Sequence, residues 1–211
     1  LFDSQVVAFT LVAAVLTITP GADTMLVLRN TLRGGRAFGW STALGIATGC
    51  LLHAALSAVG LSMILARSAA AFHAVKLLGA GYLIWLGAQS LLARDGVDVP
   101  AGGGGEGAPP PPRWRGFLDG FATNLLNPKV AVFYLAFLPQ FISAGDPVLA
   151  KSLLLAGIHD VLGLAWLGTI AVLVARGRRW IRRPSIRRAL SRFAGVTLAA
   201  LGVRLALERR G

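Results

Sequence analysis

Apolar positions in this chain gather in long runs, without the three-and-four spacing of a surface helix or the alternation of a half-buried strand. Runs of that length predict helices that cross a hydrocarbon core about 30 Å thick. Six are predicted, over residues 5–28, 38–65, 72–92, 116–142, 149–175 and 193–207. The last has about 15 clearly apolar residues, roughly 22 Å of helix, so it must borrow flanking residues or thin the bilayer. The expected fold class is an all-α integral membrane protein with six transmembrane helices.

Residues 94–115 interrupt the pattern with Gly102 to Gly105 and then Pro109 to Pro112, a flexible piece followed by a stiff one. This linker separates residues 1–93 from 116–211, each with three spans, inside a single membrane domain. An odd number of spans makes the second half enter from the opposite face, so the halves are expected to be inverted three-helix repeats, as in many secondary transporters.

Two prolines break the pattern within spans. Thr19-Pro20-Gly21 lies in the first span and Asn127-Pro128-Lys129 in the fourth. Thr19 and Asn127 are helix-capping types and proline suits a first helical position, so each signature predicts a helix restarting at membrane depth. Lipid offers no hydrogen bonds, so a break there must face protein, water or a solute. Paired breaks in two halves point to a transport site, against the alternative of ordinary proline kinks.

Composition agrees with membrane residence: 55% of residues are apolar and 14% charged. A net charge of +12 would suggest nucleic acid in a soluble protein, so the distribution of charge decides its meaning. Arg29, Arg33 and Arg36 follow the first span, Arg94, Arg113 and Arg115 flank the third connection, and eight arginines crowd residues 176–192. The odd connections therefore face the cytoplasm and both termini face outward. The arginine run is read as a topology anchor on anionic lipid, with Trp180 at the headgroup boundary, and no nucleic-acid partner is implied. The N-terminal run leads into Pro20 and Asp23 without a cleavage site, so it is expected to be a retained span. The single cysteine, Cys50, excludes a disulfide framework.

Few polar residues remain inside the spans. Asp23 follows Pro20 by three positions, and a central Asp costs about 2.5–3.5 kcal/mol. Lys129, at nearly the same place relative to its own break, is the candidate partner; access to cytoplasmic water is the other way to offset that cost. Asp160, next to His159, is near mid-depth in the fifth span, where a carboxylate alternating between ionised and neutral forms suits proton coupling. The competing reading is a satisfied contact between helices. His53 is a weaker proton-coupling candidate than Asp23 and Asp160, since a lone intramembrane histidine also serves as an interhelical hydrogen-bonding group. Lys76 and Arg204 lie near span ends and can snorkel. No metal-ligand spacing, hydrolase motif or phosphate-cradling loop occurs, so neither metal nor cofactor is expected.

Four blocks resemble the lysine exporter and homoserine/threonine resistance (LysE/RhtB) family of amino-acid exporters. They are Thr19-Pro20-Gly21-Ala22-Asp23-Thr24 with Arg29 and Gly34-Gly35-Arg36; Lys76-Leu77-Leu78-Gly79-Ala80-Gly81-Tyr82-Leu83; Asn124-Leu125-Leu126-Asn127-Pro128-Lys129; and Phe137-Leu138-Pro139-Gln140-Phe141. The chain departs from the family at Ala22, where many members have a second proline. The resemblance implies an efflux carrier of the bacterial inner membrane for amino acids or related small metabolites, driven by the proton gradient.

The expected mechanism is alternating access. Thr19, Pro20, Gly21, Asp23, Asn124, Asn127, Pro128 and Lys129 form the substrate site, and a glycine face is available for a homodimer. Two rival readings are an exporter of a metal or inorganic ion and a membrane-embedded enzyme. The first needs carboxylates, histidines or thiolates converging on one point, and the second needs a nucleophile with its base.

Overall fold

A computed structural model describes residues 4–67, 112–143 and 145–176, with scattered helical positions between 74 and 92 and between 192 and 207. Every regular element among the described residues is a helix. We number them α1 (Ser4–Ile18), α2 (Ala22–Arg67), α3 (Arg113–Leu125), α4 (Pro128–Phe141) and α5 (Val148–Arg176). Most of the predicted third and sixth spans, the Gly/Pro linker and most of the arginine run lie outside the described residues, as do Lys76, Tyr82 and Arg204.

α2 is two helices in one uninterrupted run. Gly35 has φ 74° and ψ −176°, a conformation open to glycine alone. The side chains of Asn30 and Thr42 meet at 3.0 Å although a straight helix would hold the two residues about 18 Å apart. The chain therefore folds back at Gly35, and the predicted boundary between the first two spans is a one-residue hairpin. A Cβ at Gly35 would meet nothing within 4 Å, so only the backbone opposes substitution. Gly35→Ala is expected to cost about 1–3 kcal/mol, seen as a lower Tm in detergent.

The first span is thus α1 continued, after a break, by the first arm of α2. Its arms of 15 and 13 residues are about 22 and 20 Å long, which puts the break at mid-length. α3 and α4, of 13 and 14 residues, repeat that division with a 53° bend between them.

Packing follows two parallel pairings. Ala14 to Ile18 share a groove with Leu162 to Thr169, and Val27 to Leu32 pack on Leu167 to Val174, so the first span and α5 run the same way. A Cβ added at Gly116 would touch Phe38, at Gly120 Thr42, at Gly45 Phe117, and at Gly49 Asn124, so the second arm of α2 runs parallel to α3. Glycines let those two backbones approach closely, the means by which helices associate where lipid provides no hydrophobic drive. The largest apolar cluster, with Phe9, Phe133, Tyr134, Phe137 and Phe141, fills the space between α1, α4 and α5.

Candidate functional site

The two breaks meet at the centre of the molecule. At the second, the helix stops at Leu125, and the Asn127 side chain accepts from the Lys129 backbone N–H at 3.1 Å with Pro128 at the first helical position. The first break differs by a register step from the sequence expectation. Thr19 does not cap the new helix: it finishes the old one, donating its hydroxyl to the Val15 carbonyl at 2.8 Å. A β-branched residue before proline finds this internal acceptor, and α2 begins from Gly21, whose carbonyl receives the Met25 N–H.

Each break presents a carbonyl that a side chain of the other half reaches. In an unbroken helix Asn124 would accept from residue 128, but Pro128 has no N–H. The Asn127 N–H takes that place at 3.0 Å, and His53 Nε2 meets the same carbonyl from the other half at 3.2 Å. On the other side, Lys129 Nζ donates to the Thr19 carbonyl at 3.2 Å. Gly21 has no side chain to stand in the way: a Cβ there would lie 3.2 Å from the same ammonium. Asn124 Nδ2 reciprocates from the second half, donating to Asp23 Oδ2 at 3.0 Å and lying 3.5 Å from Cys50 Sγ. Asp23 and Lys129 therefore face one space without closing a direct ion pair, since each has its own partner across the interface.

That space is a cavity of about 50 Å³ lined by Thr19, Gly21, Asp23, Cys50, Lys129 and Asp160, among others. A water needs roughly 10–15 Å³ on this measure, so a few waters fit. Asp23 Oδ1, Asn124 Oδ1 and Asn127 Nδ2 are buried in this region with no hydrogen-bond partner. Of these three residues only Asp23 lines the cavity, where its carboxylate and the Lys129 ammonium present the two charges that a small ligand bearing both would need, while Asn124 Oδ1 packs against Gly49.

Of the residues singled out from sequence, Thr19, Gly21, Asp23, Lys129 and Asp160 line the cavity, and Asn124 reaches it through Asp23. Asn127 and Pro128 shape the break, and Pro20 lies within the other. His53 is held on the Asn124 carbonyl and stacks on Tyr134 with ring centroids 6.0 Å apart. Sequence reasoning missed Tyr134, whose hydroxyl shares a 3.0 Å hydrogen bond with His159 Nδ1, and the wide π turn over Phe133–Phe137 that carries it. The π turn exposes the Tyr134 carbonyl, and Ser57 donates to it at 2.5 Å. Pro139, which cannot continue the i−4 ladder, was the available signal. Among the described residues no three of His, Cys, Asp and Glu are grouped to hold a metal ion.

The chain matches the family of LysE type translocators over residues 14–209. It is 32% identical over 202 residues to a homoserine/homoserine lactone efflux protein of Salmonella typhimurium, covering 96% of each chain. A threonine efflux protein of Escherichia coli is 29% identical over 205 residues, 94% of this chain and 96% of that one. An uncharacterised membrane protein of Bacillus subtilis is 32% identical over 208 residues, 97% and 99% of the two chains. No solved structure matches. Members of the matched family are transporters, which sets the enzyme reading aside. With a match running through both helix breaks and nearly to the end of the chain, this protein belongs to the family of LysE type translocators.

Proposed function

We propose that this protein exports an amino acid or a closely related small metabolite across the bacterial inner membrane by proton-coupled alternating access. The observation that carries the reading is the reciprocal lacing of the two breaks, Lys129 on the Thr19 carbonyl and Asn124 on Asp23, beside one cavity that Asp23 and Lys129 both line. Lys129 receives the substrate carboxylate and Asp23 its ammonium group. Asp160, facing the same cavity, or Asp23 itself, carries the proton that resets the carrier. The efflux proteins among the relatives support the substrate class.

The architecture proposed with it has six spans, odd connections in the cytoplasm, both termini outside, and residues 1–93 and 116–211 as inverted repeats. The helix pairing supports the repeat. Inversion relates the first span to the fourth and the second to the fifth, so the parallel pair of first and fifth has its counterpart in the parallel pair of fourth and second.

Proteoliposomes carrying the protein and loaded in turn with single labelled amino acids provide the test. Under an imposed pH gradient, efflux of at least one should exceed that from empty vesicles and collapse when the gradient is dissipated. Equal efflux with and without protein across the set would remove the reading. A divalent cation moved in place of every amino acid would favour the inorganic-ion alternative.

A further inference from the structure

Below the cavity, toward the end of the bundle that carries Arg29, Arg33 and Arg36, the fully buried Asn30 joins three helices. Its Nδ2 donates to Thr42 Oγ1 at 3.0 Å and to Asp119 Oδ2 at 3.2 Å, tying both arms of α2 to α3. Thr42 is itself fully buried and donates its hydroxyl to the Phe38 carbonyl at 2.9 Å. Asn30 lies seven residues beyond Asp23, about 10 Å along the helix, between the cavity and the basic end.

The opposite end holds a counterpart in sequence whose bond is not made. Asn30 is five residues before the hairpin residue Gly35, and Thr42 seven after it. Gly145, with φ 96°, is the other positive-φ residue among those described; five before it is Gln140 and seven after it is Ser152. Gln140 Oε1 and Ser152 Oγ are both buried without a hydrogen-bond partner. Gln140 Nε2 instead donates locally to the Ala136 carbonyl at 2.9 Å. Asn30 Oδ1 is open as well, so the two ends differ in the hydroxyl: Thr42 Oγ1 both accepts and donates, whereas Ser152 Oγ does neither. A buried polar atom left open costs about 1–3 kcal/mol, which calls for a second arrangement that satisfies it.

We infer that Asn30–Thr42–Asp119 and Gln140–Ser152 are alternating latches, the first closed and the second open in this structure, and that one must release as the other forms. This rests on the alternating-access reading above. Asn30 and Gln140 act as positioning residues: neither lines the cavity, yet each sets which end of it is sealed. The latch at the basic end gathers three helices on one amide, so its release frees the route from Asp23 to that face.

Cys50, the single cysteine, lines the cavity between the latches and reports on both. Membrane vesicles of either orientation would be treated with a membrane-impermeant maleimide, with Cys50→Ala as the blank. Asn30→Ala should raise labelling from the face bearing Arg29, Arg33 and Arg36 by about tenfold and lower it from the other, as expected for losing a buried hydrogen bond to a charged group. Gln140→Met, which prevents the second latch, should shift labelling the opposite way. Asn30→Asp sets two carboxylates together and should resemble Asn30→Ala, whereas Asn30→Asp with Asp119→Asn restores donor and acceptor and should return the native rate. That rescue separates a latch from a merely misfolded variant. Native labelling rates from both faces in Asn30→Ala and Asn30→Asp would overturn the latches. Amino-acid efflux by the native protein in the same vesicles is scored separately: its absence defeats the transport reading, while its presence with unaltered labelling defeats the latches alone.

Discussion

Lys129→Ala is expected to reduce export by about 10- to 100-fold at an unchanged level of protein in the membrane, the loss that follows from removing one charge-assisted contact worth about 1.5–3 kcal/mol. The ammonium has two duties in this geometry. It satisfies the Thr19 carbonyl at the first break, and it supplies the positive charge that faces the cavity. Lys129→Arg should not restore transport, because the bulkier planar head meets the Gly21 backbone where the cavity is already small. Asp23→Asn removes the negative pole and should be comparably damaging. The two changes combined should lose less than the product of their separate effects, since in the proposed mechanism both act on one bound zwitterion. Efflux of a labelled amino acid, normalised to protein level, checks all four variants. Full export by Lys129→Ala and by Asp23→Asn at normal abundance would take both residues out of the mechanism.

The second large effect concerns assembly. A Cβ at Gly120 would run into the Thr42 carbonyl and one at Gly45 into the Phe117 carbonyl, so the obstruction in each case is backbone and not a side chain that can swing away. Gly120→Ala and Gly45→Ala therefore force the second arm of α2 away from α3. Each should destabilise the protein by about 1–3 kcal/mol, with larger residues at either position preventing accumulation altogether. Gly157→Ala is the matched control, because a Cβ there meets nothing within 4 Å. Thermal unfolding in detergent, followed by the loss of monodisperse protein, is the measurement. Equal Tm values for Gly120→Ala and Gly157→Ala would mean that the α2–α3 contact does not hold the fold.

The parallel α2–α3 contact also explains why Asn124 is where it is. Gly49 faces it so closely that a Cβ would collide with its side-chain amide, and His53, one turn on, reaches its carbonyl. Packing of the two helices and aim of the Asn124 amide at Asp23 are thus one geometric fact. A change at Gly49 is expected to appear as a transport defect as well as a stability defect.

How much of this was legible in sequence follows from the range of the forces involved. Apolar runs longer than a soluble helix requires, prolines within two of them and arginines at one set of ends are local statements, and they determined an all-helical membrane protein with two interrupted spans. The cap at Asn127 was also local: an amide side chain before proline has one nearby N–H to accept from. Thr19 was not decided locally, because its hydroxyl could serve either helix and the one it terminates offered the nearer acceptor. Partner choice across the interface lay beyond the sequence. Lys129 and Asp23 are opposite charges, and composition alone would join them directly. Only the tertiary structure set Lys129 on a freed carbonyl and gave Asp23 to Asn124, because each break must satisfy its own backbone before its side chains can pair freely. The π turn at Phe133–Phe137 and the bridge from Asn30 to Thr42 and Asp119 belong to the same class. They depend on which helices run parallel and how closely glycine lets them approach, a property of the packed bundle that no single segment contains.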